Sequence, residues 1–326
     1  MIHRVALITR NRLVLKHLAR VAAAVCLLAT AAIQAENADL LLMRNERVTL
    51  GIDRSKGGAI TWLSWTEYPR NMVNLYDPGR LIQQSYYAGN RRDRLAEGQG
   101  EHWSPWSWNP IQGGGLTTWS RVTVFERLED GTLHAETVPK LWDMPNEEAN
   151  AVMRQWTDFE AGMPDAIRVT CELVCQREDH DAWGVTGLSP QEVPACYFTR
   201  NFESVKTYLG QGQWRVEDQP PGPPWGRAKT PYRAMAFFEK SGQGVAVYSP
   251  SSSELWNFGP HVDATSDDPY GGPCMHVAPV VRIDLRPKST FRYRYWLLVG
   301  NQSEIVQGLD RLIQLYADDS YDLINP

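Results

Sequence analysis

"AIRVTCELVC", residues 166–175, decides the fold class. From Ile167 onward its odd positions are Ile, Val, Cys, Leu and Cys, and the positions between them are Arg, Thr, Glu and Val. An apolar period of two belongs to a strand with one face buried, not to a helix of period 3.6. The same period recurs outward in both directions. "RVTLGID" (47–53), "AITWLSW" (59–65), "TTWSRVTVFERL" (117–128), "TLHAETVPKLW" (132–142), "RAMAFFEK" (233–240) and "GVAVYSP" (244–250) all read as strands rich in Val, Ile, Thr and aromatics. "EKSGQGV" (239–245) carries a short glycine-bearing hairpin connection. "VVRIDLRPKSTFRYRYWLLVG" (280–300) supplies two more strands around a turn at Pro287.

Helical spacing is strong only near the end, where Ile305, Leu309, Leu312 and Tyr316 recur on one face. Asn301 caps its start, and Glu304 completes a capping box. Residues 143–161 are ambiguous between a short helix and a loop. "EDQPPGPPWGRAKTPY" (217–232) holds too many prolines for a central strand or a helix, and reads as a surface loop rather than a linker. The expectation is an all-β chain: one large antiparallel β-sandwich with a short C-terminal helix.

The first 35 residues stand apart. Arg4, Arg10, Arg12, Lys16 and Arg20 give a basic start, Val21–Ala32 is largely apolar, and "AIQA" ends in a small residue at Ala35. This is the pattern of a secretory signal peptide. Twelve residues fall short of the roughly 20 that span a bilayer, so a membrane anchor fits less well. The expected product is a single domain, 36–326, exported to the periplasm or secreted, with no membrane insertion after cleavage. Cleavage removes five of the 33 basic residues and none of the 38 acidic ones, leaving a net charge near −10. With no long basic run to follow phosphates, nucleic acid is not an expected partner.

Four cysteines remain: Cys171, Cys175, Cys196 and Cys274. In an exported chain they are candidates for disulfides. Cys171 and Cys175 lie on one strand face, roughly 13 Å apart at the usual rise, so a bridge between them is excluded. Two connectivities to Cys196 and Cys274 stay open, beside the alternative of four buried thiols. "EDHD" (178–181) and "HVDATSDD" (261–268) read as solvated turns rather than calcium loops. No metal or other cofactor is expected, since the chain has no phosphate-binding glycine loop, no GxSxG and no HExxH.

Two stretches concentrate chemistry. In "YDPGRLIQQSYYAG" (76–89), Asp77 and Arg80 flank a Pro-Gly turn, and Gln83, Gln84, Tyr86 and Tyr87 alternate along a strand. Arginine forks and glutamine amides match vicinal hydroxyls or a carboxylate. Neighbouring tyrosines point to opposite faces, so at most one lines a cleft directly. In "HWSPWSWNPIQGG" (102–114), Trp106 and Trp108 offer faces for the C–H side of a pyranose, with Asn109 and Gln112 beside glycines that admit close approach. Elsewhere Glu192, between prolines in "GLSPQEVPACYF", is a loop carboxylate suited to acid or base work. His276 in "YGGPCMHVAPV" is a second proton carrier, with His102, His134, His180 and His261 as further candidates.

"GGAITWLSW" followed by "NMVNLYDPGRLIQQSYYAG" resembles the opening of galactose-mutarotase-like β-supersandwich proteins, in which a Gly-Arg pair faces the sugar. "FRYRYWLLVG" before a helix resembles the close of the same domain in sugar epimerases and some polysaccharide lyases. The histidine-bearing segment of a sugar mutarotase and its C-terminal catalytic glutamate motif have no counterpart here. The resemblance therefore implies a fold and a sugar ligand rather than a reaction. The expected partner is a poly- or oligosaccharide held by Arg80, Gln83, Gln84, the tyrosines and the tryptophans. Cleavage would proceed by hydrolysis with Glu192 and Asp77, or by β-elimination with His276 or a tyrosine as base. A non-catalytic carbohydrate-binding protein and a sugar mutarotase or epimerase are the alternatives.

Overall fold

The structure, a computed structural model, describes residues 39–326 apart from 78, 116–117, 145, 179–182, 185–186, 263–271 and 273. The expected signal peptide lies outside the described residues, as do His180 and most of "EDHD" and "HVDATSDD".

Ala166–Cys175 is a strand near the middle of a ten-stranded antiparallel sheet, paired with Ala151–Phe159 on one side and Thr290–Asn301 on the other. Ile167, Val169, Cys171, Leu173 and Cys175 enter the main core, as the alternation requires. An eight-stranded sheet packs against this face. Its order runs Lys140–Leu141, Pro110–Ile111, Gln83–Ser85, Ser189–Phe198, Met275–Ala278, Leu255–Pro260, Gly226–Lys229, with Val280–Ile283 also pairing to Ser189–Phe198. Phe198 meets Phe237 across the interface at 5.3 Å, and Tyr86 meets Phe291 at 5.9 Å, both edge to face. The result is a large antiparallel β-sandwich. A three-stranded sheet, Leu40–Arg44, Val48–Asp53 and Ala59–Trp65, adds Leu50, Ile52, Ile60 and Leu63 to the same core.

The helix Gln302–Tyr316 covers the other face of the ten-stranded sheet. Asn301 accepts from the Ser303 and Glu304 amides while Glu304 accepts from the Asn301 amide, the expected capping box. Ile305, Leu309 and Leu312 are buried against Ala166, Ala236, Ala246 and Leu298, where alanines let the helix lie close, and Tyr316 stacks on Trp296 at 4.5 Å.

Four points refine the sequence expectations. Within 143–161 the structure forms the strand Ala151–Phe159; its inward positions include Gln155 and Thr157 while Trp156 points outward, so the usual apolar signal is inverted. The two strands expected around Pro287 are present and fall in different sheets, Val280–Ile283 in one and Thr290–Asn301 in the other, so the turn crosses between layers. The proline-rich stretch yields an edge strand, Gly226–Lys229, consistent with proline's exclusion from central ones. All four cysteines are buried, and Cys171, Cys196 and Cys274 are thiols, which favours the buried-thiol alternative over the disulfide connectivities. Burial raises the Cys171 thiol to about 12 and those of Cys196 and Cys274 well above their usual value, leaving them as inert core fillers.

Gly57, in the turn before Ala59–Trp65, joins the small sheet to the tryptophan-rich segment. Its φ is +67°, and a Cβ there would lie 1.8 Å from the Gln112 carbonyl oxygen. Thr137 Oγ1 donates to its carbonyl at 2.7 Å. Gly57→Ala is expected to cost at least about 2 kcal/mol, a fall in Tm of about 5 °C, because a backbone atom blocks the new methyl. Gly98→Ala, also at positive φ but with nothing within 4 Å of its Cβ, should fall by less in the same melting experiment.

Candidate active site

The period of two resolves the glutamine and tyrosine pairs. Along Gln83–Ser85 and the residues after it, Gln83, Ser85 and Tyr87 line a cavity of about 500 Å³, while Gln84 and Tyr86 turn into the core. Gln84 Nε2 donates to the Arg154 carbonyl at 3.0 Å, and the Tyr86 hydroxyl donates to Gln84 Oε1 at 2.8 Å. Neither lines the cavity. Trp108 is likewise buried, donating to the Ala149 carbonyl at 2.8 Å beneath the Arg177 guanidinium. Gln112 Oε1 accepts from the Gln84 amide at 3.1 Å. The expectation that these four face a ligand in the cavity is corrected: all four are buried away from it, and Gln84, Trp108 and Gln112 bond backbone groups there.

Trp106 and Asn109 do line the cavity. Trp103 holds Trp106 at 5.4 Å and Trp142 at 5.8 Å in edge-to-face contacts, and Tyr87 meets Trp106 at 6.5 Å. Asn109 donates to the Tyr86 carbonyl at 2.7 Å, and Gln83 accepts from the Gly113 amide at 2.8 Å while donating to the Gly79 carbonyl. Their amides mainly hold the wall in shape. Arg80 lies over Trp142 at 5.4 Å with its guanidinium 3.6 Å from Asp77. Arg91 lies over Trp106 at 5.3 Å and also lines the cavity. Asp77 itself does not reach the cavity; its carboxylate accepts from the Cys274 amide at 3.1 Å and tethers Arg80. Its expected part as a second catalytic carboxylate is therefore not supported.

Glu192 sits in a strand, Ser189–Phe198, rather than the expected loop. The register slips between Glu192 and Ala195, around Pro194. Such a bulge is where a strand tolerates proline. Val193, Cys196 and Phe198 enter the core, whereas Glu192, Ala195 and Tyr197 face the cavity. Burial lifts the Glu192 carboxyl to about 7; the Ser85 hydroxyl opposite it opposes the shift, but without forming a well-shaped hydrogen bond. Among the described lining residues it is the sole carboxyl group. Tyr87 and Tyr197 beside it have phenols raised by burial and by the Glu192 charge, so they stay protonated.

His276 is fully buried and does not line the cavity, which corrects its expected role as a base in contact with substrate. Tyr197 at 4.5 Å and Trp225 at 4.4 Å cover the ring, and burial lowers it to about 3, a neutral imidazole. Of the other histidines, His134 stacks on Trp156 on the outer sheet, His102 packs on Trp103, and His261 is buried near Trp225.

Sequence reading missed Ser85, Arg91, Trp142, Tyr197 and Trp225. Tyr197 hides behind the bulge, since unbroken alternation from Glu192 would send it to the core. Trp225 stands in the proline-rich stretch, with Pro223, where no periodicity marks a face.

No family model matches the chain, and no curated protein matches it. Solved structures do resemble it. A candidate aldose 1-epimerase of Escherichia coli K12 aligns with a TM-score of 0.49 at 12% identity, over 80% of this chain and 99% of that one. The Slr1438 protein of Synechocystis sp. PCC 6803 gives 0.47 at 10%, over 80% and 96%. An α-N-acetylgalactosaminidase of Bifidobacterium bifidum gives 0.46 at 14%, over 84% of this chain and 39% of that one. At these levels the chemistry rests on this chain's own residues.

Glu192 also shapes stability. Folded, it holds its proton to about 7, against 4.5 when exposed. Between those values the folded state binds more protons, so stability falls as pH rises through this window. His276 acts oppositely: its folded value of about 3 lies below the ordinary 6.5, so stability falls as pH drops through that range. Glu192→Gln is expected to exceed the parent in stability above about pH 8, by on the order of 3 kcal/mol. The gain should vanish near pH 4 in denaturant titrations, as roughly the point where both states hold the proton.

Proposed function

We propose that this chain is an exported carbohydrate-active enzyme that cleaves an acidic poly- or oligosaccharide by β-elimination. The observation that carries the reading is Glu192: a lone buried carboxyl, poised near neutral pH, in a cavity walled by tryptophans and tyrosines and flanked by two arginines. Aromatic faces suit the C–H side of a pyranose, leaving its hydroxyls to polar groups at the ring edge. Hydrolysis by inversion or retention generally uses two carboxyl groups roughly 5–9.5 Å apart, and Glu192 has no such partner among the described lining residues.

Elimination asks for less. Arg80 and Arg91 bind the carboxylate of a uronate and spread the charge that builds as its α proton leaves. The Glu192 carboxylate takes that proton, a double bond forms between the α and β carbons, and the bond from the β carbon to the glycosidic oxygen breaks. The departing oxygen receives a proton from Tyr87 or Tyr197, both neutral until well above physiological pH. Proton exchange with water afterwards returns both groups to their starting states.

Incubation with a panel of uronate and neutral polysaccharides tests this. Uronate substrates should yield new reducing ends together with the ultraviolet absorbance of an unsaturated uronate. The rate should rise with pH through about 7 as Glu192 ionises. Glu192→Gln should lower kcat by roughly 10²–10⁴-fold with binding retained. Reducing ends without unsaturation contradict elimination, and binding without any cleavage points to a carbohydrate-binding protein.

A further inference from the structure

Behind the cavity wall lies a group that the chemistry above leaves unused. His276 is carried on Met275–Ala278, in register with Tyr197 on the neighbouring strand. It is wholly enclosed, and neither ring nitrogen has a hydrogen-bond partner. The Cys196 backbone approaches the ring without hydrogen-bond geometry. Buried polar atoms left unmet are costly and rare, so such a ring calls for a partner. One carboxyl oxygen of Glu192, Oε1, stands 3.9 Å from His276 Nε2, about 1 Å beyond a hydrogen bond. Glu192 thus shows one side to the cavity and another to a buried imidazole.

We propose that His276 is a positioning residue for Glu192, closing a hydrogen bond to its carboxyl and holding it in both protonation states. A small side-chain rotation of Glu192 brings the atoms together. With its proton on Nε2 the ring donates to the carboxylate. After Glu192 has taken a proton from substrate, the ring with its own proton on Nδ1 accepts from the acid. The imidazole keeps one proton throughout and is never the acid or base in contact with the sugar. Its surroundings keep it neutral. Arg80 and His261 disfavour a positive charge on it, and Tyr197 and Trp225 exclude water. Ser85, Tyr87 and Tyr197 also face Glu192, and the Cys196 thiol on the core side feels its charge; the phenols and the thiol remain protonated near neutral pH.

The proposal rests on Glu192 as the proton carrier, but its test needs no substrate. Nitrogen NMR of histidine-labelled protein is followed from acid to alkaline pH in the parent and in Glu192→Gln. One neutral histidine is expected to exchange the characters of its two nitrogens with a midpoint near 7, where Glu192 titrates, and to lose that step in Glu192→Gln. No step, or a step that persists in Glu192→Gln, overturns the proposal. If no glycan is cleaved, the elimination reading falls while this result still decides the pairing. With a cleaved substrate in hand, His276→Phe should move the rising limb of the rate profile upward by roughly one pH unit, because the ionised carboxyl loses a donor. His276→Gln, which keeps a donor and an acceptor, should leave the limb in place. A folded His276→Phe with an unmoved limb also overturns the proposal, and should that variant fail to fold, the NMR result stands on the parent protein.

Discussion

The site depends on one backbone register. Glu192 stands directly opposite Ser85 across an antiparallel pair, and the slip that follows, around Pro194, returns Ala195 and Tyr197 to the same face. Gln191 fixes this arrangement from the core side. Its amide carbonyl accepts from the Tyr87 backbone at 2.8 Å, and its amide nitrogen donates to the Tyr87 carbonyl at 2.8 Å. A shift of one residue in either strand would exchange cavity-facing and core-facing side chains, sending the Glu192 carboxyl between the sheets. Everything proposed about chemistry follows from that strand pair keeping its phase.

The surrounding layers explain why the phase holds. The face opposite the cavity is packed by Val193, Cys196 and Phe198 against the ten-stranded sheet, so apolar burial penalises any other register. Glu192 is placed at a cost, since a carboxyl buried beside phenols and aromatic rings resists ionisation. That resistance brings it close to neutral pH, which suits the proton transfer proposed for it. Arg80 is held in place by Asp77 and Trp142, so that in the proposed reaction one acid orients a cation and another carries the proton.

Much of the fold could be read from residue patterns alone. The strand Ala166–Cys175 and the capped helix Gln302–Tyr316 obey simple periods, because each sets a clearly apolar face against a clearly polar one. Ala151–Phe159 was illegible since Gln155 and Thr157 point inward and Trp156 outward. Arg80, Gln83, Tyr87, Trp106, Asn109 and Glu192, singled out by residue type, line the cavity, but residue type could not say which member of a neighbouring pair faces it. Gln84, Tyr86 and Trp108 carry the same chemistry as their neighbours and lie on the other side of a strand. Trp225 and Tyr197 depend on a proline-rich edge and on a bulge, two features whose direction is set by tertiary packing rather than by local sequence.

The most direct test of the central claim is a crystal structure of the Glu192→Gln variant with an acidic oligosaccharide. A sugar ring lying against the tryptophans of this cavity, with its carboxylate on Arg80 or Arg91 and its α carbon beside residue 192, is the predicted result. An oligosaccharide bound elsewhere on the molecule, or a cavity left without sugar at saturating ligand, would contradict it.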